Sequence, residues 1–549
     1  MAKYLIQDTT LKDIGDAIRA QTGKSDYFSP MQMAEEITGT LGNIGGLIER
    51  TTTDIYHEGV TQVSPYAFYS YTTLNSVEFP NCVSVGSSAF VSCTGLTSVS
   101  LPNCTTAPAN AFAGCKNIQN ATIGISGTIS SNTFPFAVAK SSLTTLSLPN
   151  CNSVHSSTFS TGYTALTSIY LPKCTSASTA AFNGCANLQN GTIGFETLTT
   201  ANFPFKKASS AITEIHLPSC VTVGTSIPLF AASTSSMTCS YPNLAVADFP
   251  ICTTIGDLAF YSCTGLTNIS FPSCLTIGSS AFTFCNSLTY VNFPACETVG
   301  SNAFNLCQGL ISANFPSCRY IGNYAFDHCN NLIDVNLPVC STIGVSAFYN
   351  CPSLSEINLP SCIDIQQYAF AGCDSLSLIS APICEYIRQR AFTGCYSLVS
   401  VSLPACKNIS NSAFYNCTHL KTLYAPECYD VQPAFTNCKS LQNVTIGLTQ
   451  MESGHALCEV SSTLTTLNLP SCSMLGYLAL ASFKTLMSLT LGYSSVVDVK
   501  NNALLHTPFS NSTYTGSFGS IYVPASLVNA YKTAGYWSFF ADHITAIVD

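Results

Sequence analysis

Charge is scarce in this chain of 549 residues: Asp, Glu, Lys and Arg make up only 9%, against about 25% in an ordinary globular domain. The few Lys and Arg residues are scattered, and the net charge is −9. Phosphate binding needs clustered cations, so nucleic acid is not an expected partner. Long apolar runs are also missing, although hydrophobic residues reach 46%. Ser, Thr, Asn and Pro interrupt every stretch before the roughly 20 residues needed to cross a bilayer. The expectation is a water-soluble chain without membrane insertion. The opening Met1-Ala-Lys-Tyr-Leu-Ile-Gln-Asp8 has no apolar segment of secretory-signal length, and export by the general secretory route is not expected.

Motifs that carry chemistry are absent as well. There is no G-x-S-x-G elbow and no H-E-x-x-H helix, which removes the commonest serine-hydrolase and zinc-protease arrangements. Gly23-Lys24-Ser25 invites a phosphate-loop reading, but Ile18 stands where the first glycine is required. Gly23 is better explained as a helix stop. Acidic residues are few and isolated, which disfavours the paired carboxylates of glycoside cleavage. No enzyme and no cofactor are expected.

What is present is a repeat. From Leu266 to Cys417 the sequence recurs every 22 residues without a gap, as L-x-x-V/I-x-F/L-P-x-C-x-x-I-G-x-x-A-F-x-x-C. Less regular copies run back to about Leu74 and forward to about Leu491, giving roughly 20 coils. Each unit opens with apolar and polar residues in alternation, the mark of a half-buried strand. In Leu332 to Leu337, Val335 and Leu337 are expected inside, with Asp334 and Asn336 in solvent. Proline then ends the strand, because it has no N–H for the ladder. A lone strand cannot cover its own apolar face. Stacked in register, such strands share a parallel sheet and a common interior. The Ala-Phe pairs, such as Ala303-Phe304 and Ala325-Phe326, are expected to plug the opposite side.

The 29 cysteines follow the same period. One column runs through Cys274, Cys296, Cys318 and Cys340, another through Cys285, Cys307, Cys329 and Cys351. Parallel side chains in register sit about 4.8 Å apart, wider than the roughly 3.8 Å between Cβ atoms that a disulfide prefers. These cysteines are therefore expected as reduced, buried, small apolar residues. No C-x-x-C pair exists and histidines are dispersed, so no metal is expected.

Three units are longer and share a T-I-G element, at Asn117–Gly124, Asn187–Gly194 and Ser440–Gly447. Two add Phe-Pro-Phe, at Phe134–Phe136 and Phe203–Phe205. Such insertions either form a binding loop or cover their own coil. Outward strand positions are the other candidate ligand surface: Tyr290, Asn292, Asn314, Asp334, Asn336, Glu356, Asn358 and Tyr424. The four asparagines occupy one position of successive coils, where amides can simply bond along the stack. Tyr290, Asp334, Glu356 and Tyr424 change from coil to coil and are the better specificity candidates.

The L-P-x-C-x-x-I-G-x-x-A-F-x-x-C unit resembles the BspA-like class of bacterial leucine-rich repeats, though with cysteine where that class often has a polar residue. The resemblance implies a leucine-rich-repeat solenoid, α/β in class but dominated by β-structure, across residues 74–520. Ile521 to Ser538 resembles the terminal cap of such proteins, with Leu527, Val528 and Tyr531 covering the last coil and Trp537 packed in the cap. Residues 44–73 are read as a linker and N-terminal cap, and 521–549 as the C-terminal cap.

Residues 1–43 differ. Thr10 is placed to cap a helix with Leu11, Ile14 and Ile18 on one face, and Ser29-Pro30 opens a second helix carrying Met33 and Ile37. L-x-D-I-G-D-A-I-R-x-x-T-G followed by P-x-x-M-A-x-E-I resembles the opening module of tail-associated proteins in phages and prophages of Gram-positive gut bacteria. That resemblance implies a tail fibre or receptor-binding protein located in the virion tail. Residues 1–43 would attach it to phage tail proteins, and the solenoid would contact a host surface glycan or protein. Trimers are common among tail fibres, but nothing in this chain specifies one. A bacterial cell-surface adhesin and a cytoplasmic interaction scaffold are the alternative functions.

Overall fold

The computed structural model describes residues 52–199, 202–205, 210–224, 241–481, 483–509 and 518–548. Leu11, Ile14, Ile18, Met33 and Ile37, and the two helices expected around them, lie outside this set. The chain divides into two compact units, residues 1–220 with 240–250 and residues 221–239 with 251–549. Both are parallel solenoids, and the period holds at about 22 residues through about 21 turns.

In the first unit, strands Asp54–Tyr56, Ser76–Glu78, Ser98–Leu101, Asn120–Ile123 and Thr145–Ser147 pair in order and in parallel. Ser168–Leu171, Asn190–Ile193, Glu214–His216 and Val246–Asp248 continue the sheet. Here the register absorbs longer coils. Both Phe-Pro-Phe insertions turn inward: Phe134, Phe136, Phe203 and Phe205 are buried. Phe136 lies 4.8 Å from Phe112, and Phe205 lies 5.1 Å from Phe182. The inserted aromatics thus fill the interior of their own coils.

The second unit is more regular. Tyr290–Asn292, Ser312–Asn314 and Asp334–Asn336 form one parallel run. A nine-stranded run extends from Glu356–Asn358 to Ile544–Ala546. Inward residues are fully covered: Leu310, Phe315, Cys318, Ile321, Ala325, Phe326 and Cys329 in one coil all have no exposed surface. Val335 and Leu337 are buried while Asp334 and Asn336 are exposed, as the alternation requires.

Two features go beyond the expected single sheet. A second parallel sheet is built from two-residue strands after the first cysteine of each coil, such as Thr298–Val299, Tyr320–Ile321 and Thr342–Ile343. The Ala-Phe arc, although not a strand, is also hydrogen-bonded from coil to coil. Tyr324, Phe326 and His328 donate their N–H groups to carbonyls of Val345, Ala347 and Tyr349 in the next coil. The intervening Ala325, Asp327 and Cys329 donate to Gly322, Tyr324 and Phe326 within their own coil. Alternation of this kind gives every N–H of the arc a partner, which a buried backbone demands.

Side chains stack along with the backbone. Phe260, Phe282, Phe304, Phe326, Phe348, Phe370 and Phe392 form one column, with ring centroids 5.1 to 5.3 Å apart and nearly parallel planes. Offset stacking at such distances adds to the burial energy.

The cysteines whose side chains are described form no disulfide with one another and are buried. The two columns play different parts. Cys285, Cys307 and Cys329 donate Sγ–H to the carbonyls of Phe260, Phe282 and Phe304 in the preceding coil, at 3.2, 3.0 and 3.1 Å. Cys274, Cys296 and Cys318 donate locally, to the carbonyl two residues on. A thiol suits both places because it is small, apolar and still a weak donor.

The solenoid closes on a compact end. Strand Ser520–Val523 leads to a short helix, Val528–Thr533, a 3-10 segment, Gly535–His543, and strand Ile544–Ala546. Tyr531, Trp537 and Phe540 are buried there, and the Trp537 indole donates to the Val497 carbonyl at 2.7 Å. Leu527 and Val528 are only half-buried, so the aromatic residues do most of the covering.

Phe326→Ala would open a gap between Phe304 and Phe348, and is expected to cost about 3–5 kcal/mol in urea unfolding. Alkaline pH should also destabilise the fold. Burial pushes Cys252 and Cys318 up to about 11, and Cys307 and Cys373 up to about 12, from an ordinary 9.0. The unfolded chain therefore releases its protons first as pH rises. Stability is fully present below pH 9.0 and is lost progressively as pH climbs toward about 12. The urea midpoint, followed against pH, should fall with a slope of more than one proton.

Candidate functional site

Strand geometry decides which side chains can meet a ligand. Alternate residues of each first-sheet strand point outward, and in the second unit Tyr290, Asp334, Glu356 and Tyr424 are all exposed. Tyr290 and Tyr424 keep 51% and 45% of their surface in solvent, enough to present a ring to a partner. The outward row before the proline behaves differently. Asn314 donates its amide to Asn292 Oδ1 at 2.7 Å, and Asn336 donates to Asn314 Oδ1 at 2.7 Å. These asparagines serve the stack first, because their amides already bond along it. Asn358 is exposed at the equivalent position of the following coil.

Between the rows lie residues that sequence reasoning passed over. Ile311, Ile333, Leu378 and Val399 are exposed by 44 to 53% on or beside the same strands. Ile311, Ile333 and Val399 directly follow the buried leucine of their coil, a position that admits any residue because it faces water, whereas Leu378 stands in the same outward row as Tyr290. In the first unit the corresponding face carries His216, with Nε2 3.6 Å from Glu214 and Nδ1 3.4 Å from Asp248.

The second sheet carries two ion pairs between coils, also unforeseen. Asp364 takes a two-pronged contact from Arg388, Nε to Oδ1 at 2.9 Å and Nη2 to Oδ2 at 2.8 Å. The guanidinium also lies 4.6 Å from the centre of the Tyr386 ring. Lys407 pairs with Glu385 at 2.7 Å one coil away. The charged groups are partly exposed, so each pair contributes little to stability. The contacts fix where these side chains point.

Among the described residues, no group of three or more His, Cys, Asp or Glu is placed to hold a metal ion. No described helix is long and apolar enough to cross a membrane. What the outward strand face offers is a broad, rigid, largely uncharged surface of hydroxyls, amides, tyrosines and aliphatic groups.

A sequence profile described as the BspA type leucine rich repeat region matches the chain in six copies, over residues 51–162, 127–237, 253–377, 341–432, 363–490 and 432–525. Comparison with curated protein sequences gives no match. Similar solved structures include a leucine-rich repeat protein from Bacteroides ovatus, 18% identical, covering 72% of this chain and 83% of that one with a TM-score of 0.29. Another, from Eubacterium ventriosum, is 20% identical, with coverages of 65% and 86% and a TM-score of 0.27. A leucine rich cell surface protein from Faecalibacterium prausnitzii is 18% identical, with coverages of 68% and 88% and a TM-score of 0.22.

If the asparagine stack is structural, Asn314→Ala should lower stability by about 0.5–1.5 kcal/mol, as expected for lost hydrogen bonds. Asn358→Ala, at the equivalent exposed position two coils on, should lower it less. Urea unfolding of the two variants makes the comparison.

Proposed function

The chain belongs to the BspA-type leucine-rich-repeat family, and on that premise we propose that it is a non-enzymatic adhesin of the bacterial cell surface. In this reading the outward strand face of the second unit holds a macromolecular partner, a host protein or glycan. The observation that carries the reading is a contrast within each coil. Buried positions repeat with little change through seven coils, whereas the first outward strand position runs Tyr290, Ser312, Asp334, Glu356, Leu378, Ser400 and Thr422. A row needed only for solubility has no reason to mix an aromatic ring, two carboxylates and an exposed leucine. Solenoids present such rows as extended binding surfaces, and a few exposed aromatic anchors supply most of the affinity in typical interfaces.

The tail-fibre reading rests on residues 1–43, which lie outside the described residues and outside the matched profile. The adhesin is therefore preferred. Attachment to tail proteins, trimer formation and a place in the virion have no support beyond the resemblance of that short segment.

The test is a binding assay of the purified chain on host cells, beside fractionation of the producing bacterium. The double variant Tyr290→Ala with Tyr424→Ala is expected to bind roughly tenfold more weakly, about 1.4 kcal/mol, with an unchanged unfolding midpoint. The chain should fractionate with the cell surface. Recovery with phage particles and not with cells would move the assignment to a tail fibre. Undiminished binding by the variant would remove the strand face from the account.

A further inference from the structure

The Ala-Phe arc of the second unit carries a feature that the proposed adhesive face does not use. Two residues before each arc phenylalanine from Phe260 to Phe414, the backbone turns through a positive φ. Four coils place a small or amide residue there: Ser280, Asn302, Ser346 and Ser412. Four coils place a large one instead: Leu258, Tyr324, Tyr368 and Arg390, with φ of 57 to 58°. Bulky side chains are disfavoured in this region of backbone space. Core packing does not account for Tyr324 or Arg390, since Tyr324 is 42% exposed and Arg390 is exposed, and Tyr368 is only half-buried. An outlier retained at a cost and facing water is a reason to look for a ligand.

The surroundings of two of these residues are already ordered. The Arg390 guanidinium sits over the Tyr368 ring, 5.6 Å from its centre, and Nη1 donates to the Tyr368 hydroxyl at 2.8 Å. Tyr368 meets Tyr349 edge-on at 6.4 Å, and Tyr349 packs on His328 at 5.8 Å. His328 is held in turn by Asp327 and, at 3.1 Å, by Asn350. The result is a strip, His328, Tyr349, Tyr368 and Arg390, that climbs one coil at each step. Arg390 makes no ion pair with a described residue, in contrast to Arg388, whose charge is taken up by Asp364.

Spacing and charge select the class of ligand. Coils follow one another every 5.1 to 5.3 Å along the phenylalanine column. Same-face side chains of an extended peptide repeat at about 6.7 Å, so a peptide lying along the strip would lose register within a few coils. One pyranose residue of an extended β-linked chain advances by nearly one coil. Tyrosine rings offer apolar faces and edges to sugar C–H groups. An uncompensated guanidinium, held in place by stacking, is suited to a carboxylate that it can grip with two parallel bonds. We propose that the strip from His328 to Arg390 binds an extended β-linked polysaccharide bearing carboxylates, laid along the solenoid axis of the second unit.

The experiment measures binding of the full chain to a β-1,4-linked mannuronate octasaccharide, a neutral β-1,4-linked mannan octasaccharide and a polyglutamate peptide. The mannuronate oligomer should bind. Arg390→Gln and Tyr368→Ser should each weaken that binding about tenfold or more, equivalent to about 1.4 kcal/mol. Both variants should fold, because Arg390 is exposed, Tyr368 is only half-buried, and serine already occupies the equivalent position at Ser346 and Ser412. Circular dichroism melts check this. Tyr290→Ala, on the strand face, should leave mannuronate binding unchanged, so the strip and the proposed adhesive face stand or fall separately. Absence of mannuronate binding would overturn the proposal. So would equal binding of the neutral oligomer, a preference for polyglutamate, or full affinity in Arg390→Gln.

Discussion

No coil of this protein can cover its own apolar residues, and every other feature follows from that constraint. A 22-residue turn has one main strand, one two-residue strand and one aromatic arc, and by itself it leaves Leu310, Phe315, Ile321 and Phe326 open on two sides. Coverage comes from the coils above and below, and requires equivalent atoms to lie over one another. Hydrogen bonds enforce this on three walls at once: the main strands, the two-residue strands of the second sheet, and the alternating N–H groups of the Ala-Phe arc. Cohesion therefore accumulates from neighbour to neighbour, as in other solenoids, and low charge is tolerated because backbone and side-chain amides carry the polarity.

The period and its consequences were legible in the sequence, because burial repeats residue types faithfully. Leu, Cys, Ile and the Ala-Phe pair recur at fixed offsets, and both the stacked phenylalanines and the buried thiol columns without disulfides follow from in-register geometry. The second sheet was not legible. Two residues are too few to show alternation, so Thr298–Val299 and Tyr320–Ile321 look like any loop. Nor could the sequence choose between a loop and a plug for Phe134–Phe136: the structure shows the insertion filling its coil because a ring is needed beside Phe112. The hydrogen-bonding role of the thiols, donated to Phe260, Phe282 and Phe304, depends on carbonyl directions that composition cannot reveal.

The candidate site was legible in part. Alternation placed Tyr290, Asp334, Glu356 and Tyr424 outward, where the structure has them. It also placed the asparagines there, and the bonds among Asn292, Asn314 and Asn336 show that an outward residue can still belong to the scaffold. The ordered charges of the second sheet, Asp364 with Arg388 and Glu385 with Lys407, join residues one coil apart that no local motif connects. A fixed interior with a variable exterior is what allows one coil design to serve as a binding surface. The interior sets the spacing, and the exterior is free to change without loss of stacking.

Removal of one whole period tests the stacking claim most directly. Deletion of residues 311–332 joins Leu310 to Ile333 and brings equivalent residues back into register, whereas deletion of residues 311–321 removes half a coil. The account predicts that the first variant unfolds cooperatively in urea with its cysteine thiols still unreactive, and that the second loses cooperative unfolding and exposes thiols. Equal behaviour of the two deletions would contradict it.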